Sequence, residues 1–165
     1  LTELLLESLH KVKNPRVVIV SSGYYRKIQS IDFLEPGKIN STDGYDSLIA
    51  YARSKLANCL HAYKLSKLEP EIEVYAVRPG FVRGTELGRH FSPLMQYLAW
   101  PIIWFFSKSP TQGVQTILYC CLAPKDQLES GKLYDNCAKE EYNHLVNEEN
   151  ADKLYSVSRQ MLKIK

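Results

Sequence analysis

DSLIAYARSKLANCLHAYKLSKLEPEIEVYAVRPG, residues 46–80, is the stretch whose reading decides the fold. Apolar residues at 48, 49, 52, 56, 59, 60 and 63 recur at helical spacing, and no glycine or proline interrupts them before Pro70, which predicts one long helix. EIEVYAVRPG then passes from alternation into the apolar run Val74 to Val77 and stops at Pro79-Gly80, the pattern of a strand meeting a loop. Upstream, RVVIVSSG (residues 16–23) is β-branched and apolar without alternation, as suits a strand buried on both faces of a parallel sheet. Its end delivers Ser21, Ser22 and Gly23.

Working outward, residues 2–11 place Leu4, Leu5, Leu9 and Val12 near helical spacing, with Thr2 as a cap and Asn14-Pro15 as a stop. Residues 24–46 carry Pro36-Gly37, Asn40-Ser41 and Asp43-Gly44 and read as a long loop. In SPTQGVQTILYCCLAP, Ser109 caps a helix with Pro110 at its first position, and Gln112 closes a capping box. SGKLYDNC (130–137) reads as a short last strand, and NADKLYSVSRQMLKI as a closing helix with Leu154, Val157 and Met161 on one face. Helices alternating with strands predict an open α/β sheet with helices on its faces, a Rossmann-like doubly wound parallel sheet.

A chain of 165 residues has the size of one domain. The net charge of +3, from 21 basic and 18 acidic residues spread along the chain, offers no basic stripe for nucleic acid. Cys59, Cys120, Cys121 and Cys137 form neither a CxxC pair nor a disulfide framework, so they read as free thiols in a reducing compartment. His10, His61, His90 and His144 show no metal spacing, and no metal is expected. LTELLLESLHKVKNPR lacks the features of a secretory signal, and the missing initiator methionine fits a fragment. LMQYLAWPIIWFF (94–106) is apolar but broken by Gln96 and Pro101, and is shorter than the roughly 20 residues a spanning helix needs. It suits an aromatic lid over a greasy pocket or an interfacial patch.

The chemistry centres on AYARSKLAN, where Tyr51 and Lys55 stand four apart on one helix face. A tyrosine with its usual pKa of ~10 is a poor base at neutral pH, and a nearby ammonium favours the phenolate. Such a tyrosine donates a proton to a carbonyl oxygen or removes one from an alcohol. Ligands of open α/β sheets collect beyond the carboxyl ends of the strands, where Ser22 and Pro79-Gly80 both fall.

YARSK, VSSGYY and VRPGFVRGTEL, in this order and spacing, resemble the short-chain dehydrogenases/reductases, and AYARSKLAN with VYAVRPGFVRGTELGRH looks most like their retinol-dehydrogenase-like branch. The resemblance covers essentially the whole chain. It implies an NAD(P)-dependent oxidoreductase, with NADP or NAD as cofactor, acting on an alcohol or carbonyl, retinoid, steroid or other lipid-like in kind. Tyr51 would be the proton donor and acceptor, Lys55 would also hold the nicotinamide ribose, and Ser22 would position the substrate. Pro79, Gly80, Val82 and Thr85 would lie along the cofactor. Arg78 stands where relatives commonly have histidine. The family's opening TGxxxGxG turn has no counterpart here, so the expectation is a single partial domain, residues 1–165, equivalent to the C-terminal half.

The resemblance further implies an intracellular site, cytoplasmic or at the endoplasmic-reticulum membrane, with peripheral membrane contact and a homodimer both allowed. A non-catalytic, truncated relative acting as a binding or dimerisation module is the competing reading. A sugar-nucleotide epimerase or dehydratase also uses YxxxK, but the short tail after Gly80 leaves little room for its larger substrate domain.

Overall fold

A computed structural model describes residues 1–35, 37–83, 104–105 and 107–163. Among them the elements run α1 (Thr2–Leu9), β1 (Arg16–Val20), α2 (Ser47–Leu68), β2 (Glu73–Arg78), α3 (Pro110–Leu122), β3 (Leu133–Asp135), β4 (Ala138–Glu140) and α4 (Glu148–Leu162). The strands lie side by side in the order β1-β2-β3-β4, the first three parallel and β4 antiparallel. The α/β expectation holds, with a mostly parallel sheet that has helices on both faces.

Alternation along the strands assigns the two cores. Val74 and Ala76 face one layer, with Ala52, Leu56, Cys59 and Leu60 of α2 and Ala151 and Leu154 of α4. Tyr75 and Val77 face the other, with Cys120 of α3 and Tyr134 of β3. Every residue of β2 is buried except Arg78, which is half-buried, whereas β1 is half-buried along most of its length. The difference follows from position: β2 has a strand on each side, and β1 is the edge of the described sheet. At the base of this pair Arg16 Nε donates to Glu73 Oε2 at 2.6 Å, compensating a carboxylate only 3% exposed.

Helix boundaries follow local chemistry. Asp46 caps α2 by accepting from the N–H groups of Leu48 and Ile49 at 2.8 and 2.9 Å. Ser109 and Gln112 form both halves of the capping box on α3, with Pro110 at the helix start. Thr2 is not a cap; it is the first residue of α1, and Leu1 holds the cap position without a side-chain bond.

Three patterns differ from the sequence reading. In α1 the partly buried apolar residues are Leu6 and Leu9, while Leu4, Leu5 and Val12 are exposed, because apolar residues ring this helix and spacing alone does not select a face. In α4 the inward residues are Asn150, Ala151 and Leu154; Met161 is exposed near the end. The 24–46 segment contains 3-10 turns at Gly23–Lys27 and Asp32–Leu34 and sends Tyr25, Ile28, Phe33 and Leu34 into the core.

The last strand is also half of a hairpin. Asn136 and Cys137 both adopt positive φ, 50° and 58°, between β3 and β4, the backbone of a two-residue turn that matches strand twist. Without a glycine the dipeptide gives no recognisable turn signal, so β4 is invisible in the sequence.

Candidate active site

The carboxyl ends of β1 and β2 meet the amino-terminal half of α2. Ser21 follows β1 and is 2% exposed; its N–H donates to Val77 O at 2.7 Å and its hydroxyl to Lys55 O at 2.8 Å. Cys59 Sγ in turn donates to Ser21 Oγ at 3.2 Å. Ser21 therefore ties the strand end to the helix backbone. Strand alternation turns the next residue the other way, and Ser22 stands half-buried on the rim, its Oγ accepting from the Tyr24 N–H at 3.3 Å.

Tyr51 and Lys55 lie on one face of α2, with Lys55 Nζ 5.5 Å from the Tyr51 ring centroid. Lys55 donates to Val20 O at 3.3 Å, a neutral acceptor. Tyr24, in the turn that Ser22 caps, meets the Tyr51 ring edge-on at 6.1 Å between centroids. The paired tyrosines divide their roles: Tyr24 is 42% exposed on the rim, and Tyr25 is fully buried, accepting from the Asn143 N–H at 3.3 Å.

Pro79 and Gly80 follow β2 on the same rim. Gly80 has φ +79°, a backbone that selects glycine, and the flexible end of Lys108 lies where a Cβ would stand. Val82 forms a parallel bridge with Lys108 and packs on Gly113 of α3. Thr85 lies outside the described residues, as do Gly84, His90 and most of the 94–106 aromatic segment; Trp104 and Phe105 are exposed.

Two features escaped the sequence reading. Asn58 donates to Val20 O at 3.0 Å and so shares its acceptor with Lys55. Its position three residues beyond Lys55 puts it on the same helical face, a signal the sequence did contain. The second is a charged lattice across the strand ends. Arg78 pairs with Asp135 at 2.9 Å and with Glu140, whose Oε1 accepts from Nη2 at 2.8 Å. Its Nε approaches Glu140 Oε2 at 2.7 Å as a charge contact without hydrogen-bond alignment. Arg26 reaches Glu140 at 3.0 Å, and Lys108 lies 3.8 Å from Asp135. A Cβ at Gly23 would sit 2.9 Å from Arg78 Nη1, so this guanidinium lies directly beneath the turn carrying Ser22.

Two concavities occur elsewhere. One of about 450 Å³ is lined by Ser107, Lys108, Thr116 and Asn136, and one of about 490 Å³ by Phe33, Ile39, Tyr45, Arg53 and Leu154. Ser22, Tyr51 and Lys55 line neither. They occupy an open rim, and the hydrogen bonds above locate the site better than cavity size does. Among the described residues no group of three or more His, Cys, Asp or Glu is placed to hold a metal, and no helix is long and apolar enough to cross a membrane.

No protein-family model matches the chain. It is similar to "Retinol dehydrogenase 14" of Mus musculus, 37% identical over 169 residues that span 99% of this chain and 49% of the relative. "Retinol dehydrogenase 12" of Homo sapiens is 37% identical over 168 residues, 100% of this chain and 51% of the relative. "Dehydrogenase/reductase SDR family member 13" of Bos taurus is 35% identical over 165 residues, 98% and 43%. The chain spans about half the length of the curated relatives it matches. With the parallel sheet and these whole-chain similarities, the chain belongs to the short-chain dehydrogenases/reductases, in their retinol-dehydrogenase-like branch.

Proposed function

We propose that these residues form the acid-base part of an NAD(P)-dependent oxidoreductase that interconverts an alcohol and a carbonyl, and that residues 1–165 are one partial domain of it. The observation that carries the reading is the Lys55 ammonium 5.5 Å from the Tyr51 ring, at the strand end where Ser22 and Pro79-Gly80 also emerge. In the reducing direction the Tyr51 hydroxyl gives its proton to the substrate oxygen while the Ser22 hydroxyl donates a hydrogen bond to the same atom. In the oxidising direction Tyr51 removes that proton. Lys55 stabilises the phenolate left behind or required.

The residues present fit the nicotinamide end of a dinucleotide. Lys55 is held by a backbone carbonyl, an acceptor that ribose hydroxyls readily replace, and Gly80, with no side chain of its own, leaves only the flexible Lys108 end over this part of the rim. Tyr51, Lys55, Pro79, Gly80 and Val82 would hold that end, with Thr85 assigned beside them by resemblance. When bound, the nicotinamide supplies or accepts the hydride. The cofactor we propose is NADP or NAD.

The substrate we propose is lipid-like, with retinoids first in view of the relatives' names. Phe81, Trp104 and Phe105 are 51%, 55% and 78% exposed, and Arg83 lies 4.9 Å from the Trp104 ring. Aromatic rings beside a cation favour the boundary between lipid and water, which supports peripheral membrane contact. The test is consumption of reduced nicotinamide with a panel of apolar aldehydes and ketones, by the full product of the gene that encodes these residues. Tyr51→Phe abolishes turnover on this reading; unchanged turnover refutes it. A non-catalytic binding or dimerisation module is the second reading, and the unpaired edge of β1 in the described sheet counts against it. It predicts a dimer by light scattering and no dinucleotide binding by calorimetry.

A further inference from the structure

We infer that Asn58 is a positioning residue for Lys55, acting through the carbonyl of Val20. The inference rests on the reading of Tyr51 and Lys55 as the proton-transfer pair and adds a third member to their helix face. Ser21 N–H donates to Val77 O, so the Ser21 peptide edge faces β2 and the preceding Val20 carbonyl faces away from it. That carbonyl is the last of β1, and among the described residues its recorded partners both come from α2. Two donors from α2 fill its two lone pairs, Asn58 Nδ2 at 3.0 Å and Lys55 Nζ at 3.3 Å.

The two donors are unequal in freedom. The Asn58 amide sits on a short side chain with two rotatable bonds, whereas the ammonium of Lys55 ends a flexible four-carbon stem. The short side chain takes the closer bond, fixes the strand end against the helix, and leaves one lone pair in one direction for the lysine. The ammonium is thereby held near the Tyr51 ring instead of sweeping the rim. Ser21 reinforces the arrangement from the other side by bonding the Lys55 backbone carbonyl at 2.8 Å. Both bonds lie at the exposed end of β1, where Val20 is 39% exposed, so the short, nearly rigid Asn58 amide is the donor that holds the shared carbonyl against water.

The test uses the full gene product with an aldehyde it turns over, and three variants. Asn58→Ala lowers kcat by about 10- to 100-fold with KM for the aldehyde nearly unchanged, since the pair is misplaced and substrate contacts are not. Asn58→Asp places a carboxylate beside the Lys55 ammonium and cancels much of its field. Among the described residues, the titratable and charged groups recorded against the Tyr51 ring are Lys55 of α2 and Tyr24 of the preceding turn. The pH profile of alcohol oxidation therefore moves to higher pH in Asn58→Asp, an effect that loss of packing alone does not produce. Tyr51→Phe is the third variant. If it retains turnover, the reading of the pair falls; if it is inactive and both Asn58 variants keep the parent kcat and pH profile, the positioning role falls. Asn58→Asp and the parent melting together while their pH profiles differ supports the inference even if Asn58→Ala folds poorly.

Discussion

Replacing Arg78 by methionine keeps the length and apolar stem of the side chain and removes only the guanidinium. Arg78, Asp135 and Glu140 have side chains 19%, 16% and 26% exposed, with contacts of 2.9 Å to Asp135 and 2.7–2.8 Å to Glu140. A unit pair at about 4 Å is worth roughly 4 kcal/mol at an effective dielectric of ~20, before desolvation is subtracted. Without Arg78 the two carboxylates face each other with weaker partners, Lys108 at 3.8 Å and Arg26 at 3.0 Å. Breaking a buried pair costs about 3–5 kcal/mol when nothing replaces the lost partner. These second partners and the partial exposure place the expected loss at about 2–3 kcal/mol. Urea unfolding followed by circular dichroism measures it, and adding Asp135→Asn and Glu140→Gln to the variant should recover part of the loss by removing the stranded charges. A loss under about 0.5 kcal/mol, or no recovery in the triple variant, would refute the view that this lattice clamps the strand ends.

Two further outcomes are expected. Gly113→Ala gains about 1 kcal/mol of helix propensity, but the new Cβ would overlap Val82 Cγ2 and lie 3.3 Å from Cγ1. Overpacking of about 1–3 kcal/mol prevails, so the variant melts lower, and a raised melting temperature would show that the α3–Val82 contact is not tight. The thiols form a pH test. Burial raises Cys59 from 9.0 to about 11 and Cys120 to about 12, while Cys121 and Cys137 are exposed. Alkylation at pH 8 should label only the exposed pair in the folded protein. Because the folded-state values are raised, the neutral thiols' contribution is complete below pH 9 and is lost as pH rises from 9 toward 11–12. Burial lowers His61, so its contribution runs the other way, present above 6.5 and lost as pH falls below that value. A melting temperature flat from pH 8 to 11 would contradict the thiol burial.

The sequence by itself determined the layering and the elements that bear the site. The unalternating RVVIV and the Val74 to Val77 run demanded strands, of which β2 is buried and β1, at the edge of the described sheet, is half-buried, and the long uninterrupted 46–68 pattern demanded a helix between them. These signals are periodic and local, as are the capping box at Ser109–Gln112 and the i, i+4 spacing of Tyr51 and Lys55, so no knowledge of distant residues was needed to read them. What only the tertiary structure decided depends on which groups meet across the chain. Ser21 and Ser22 are the same residue type in adjacent places, and only the pairing of Ser21 with Val77 and Lys55 shows which is a tie and which faces the rim. The shared carbonyl of Val20 joins residues from a strand and a helix more than 30 positions apart. Arg78 reads as an ordinary strand-end cation until Asp135 and Glu140 arrive from 57 and 62 residues downstream. The β3–β4 turn uses positive φ in two residues that carry no glycine signal, a backbone the surrounding contacts impose. Periodicity specifies which way a side chain faces; only the assembled sheet specifies what it faces.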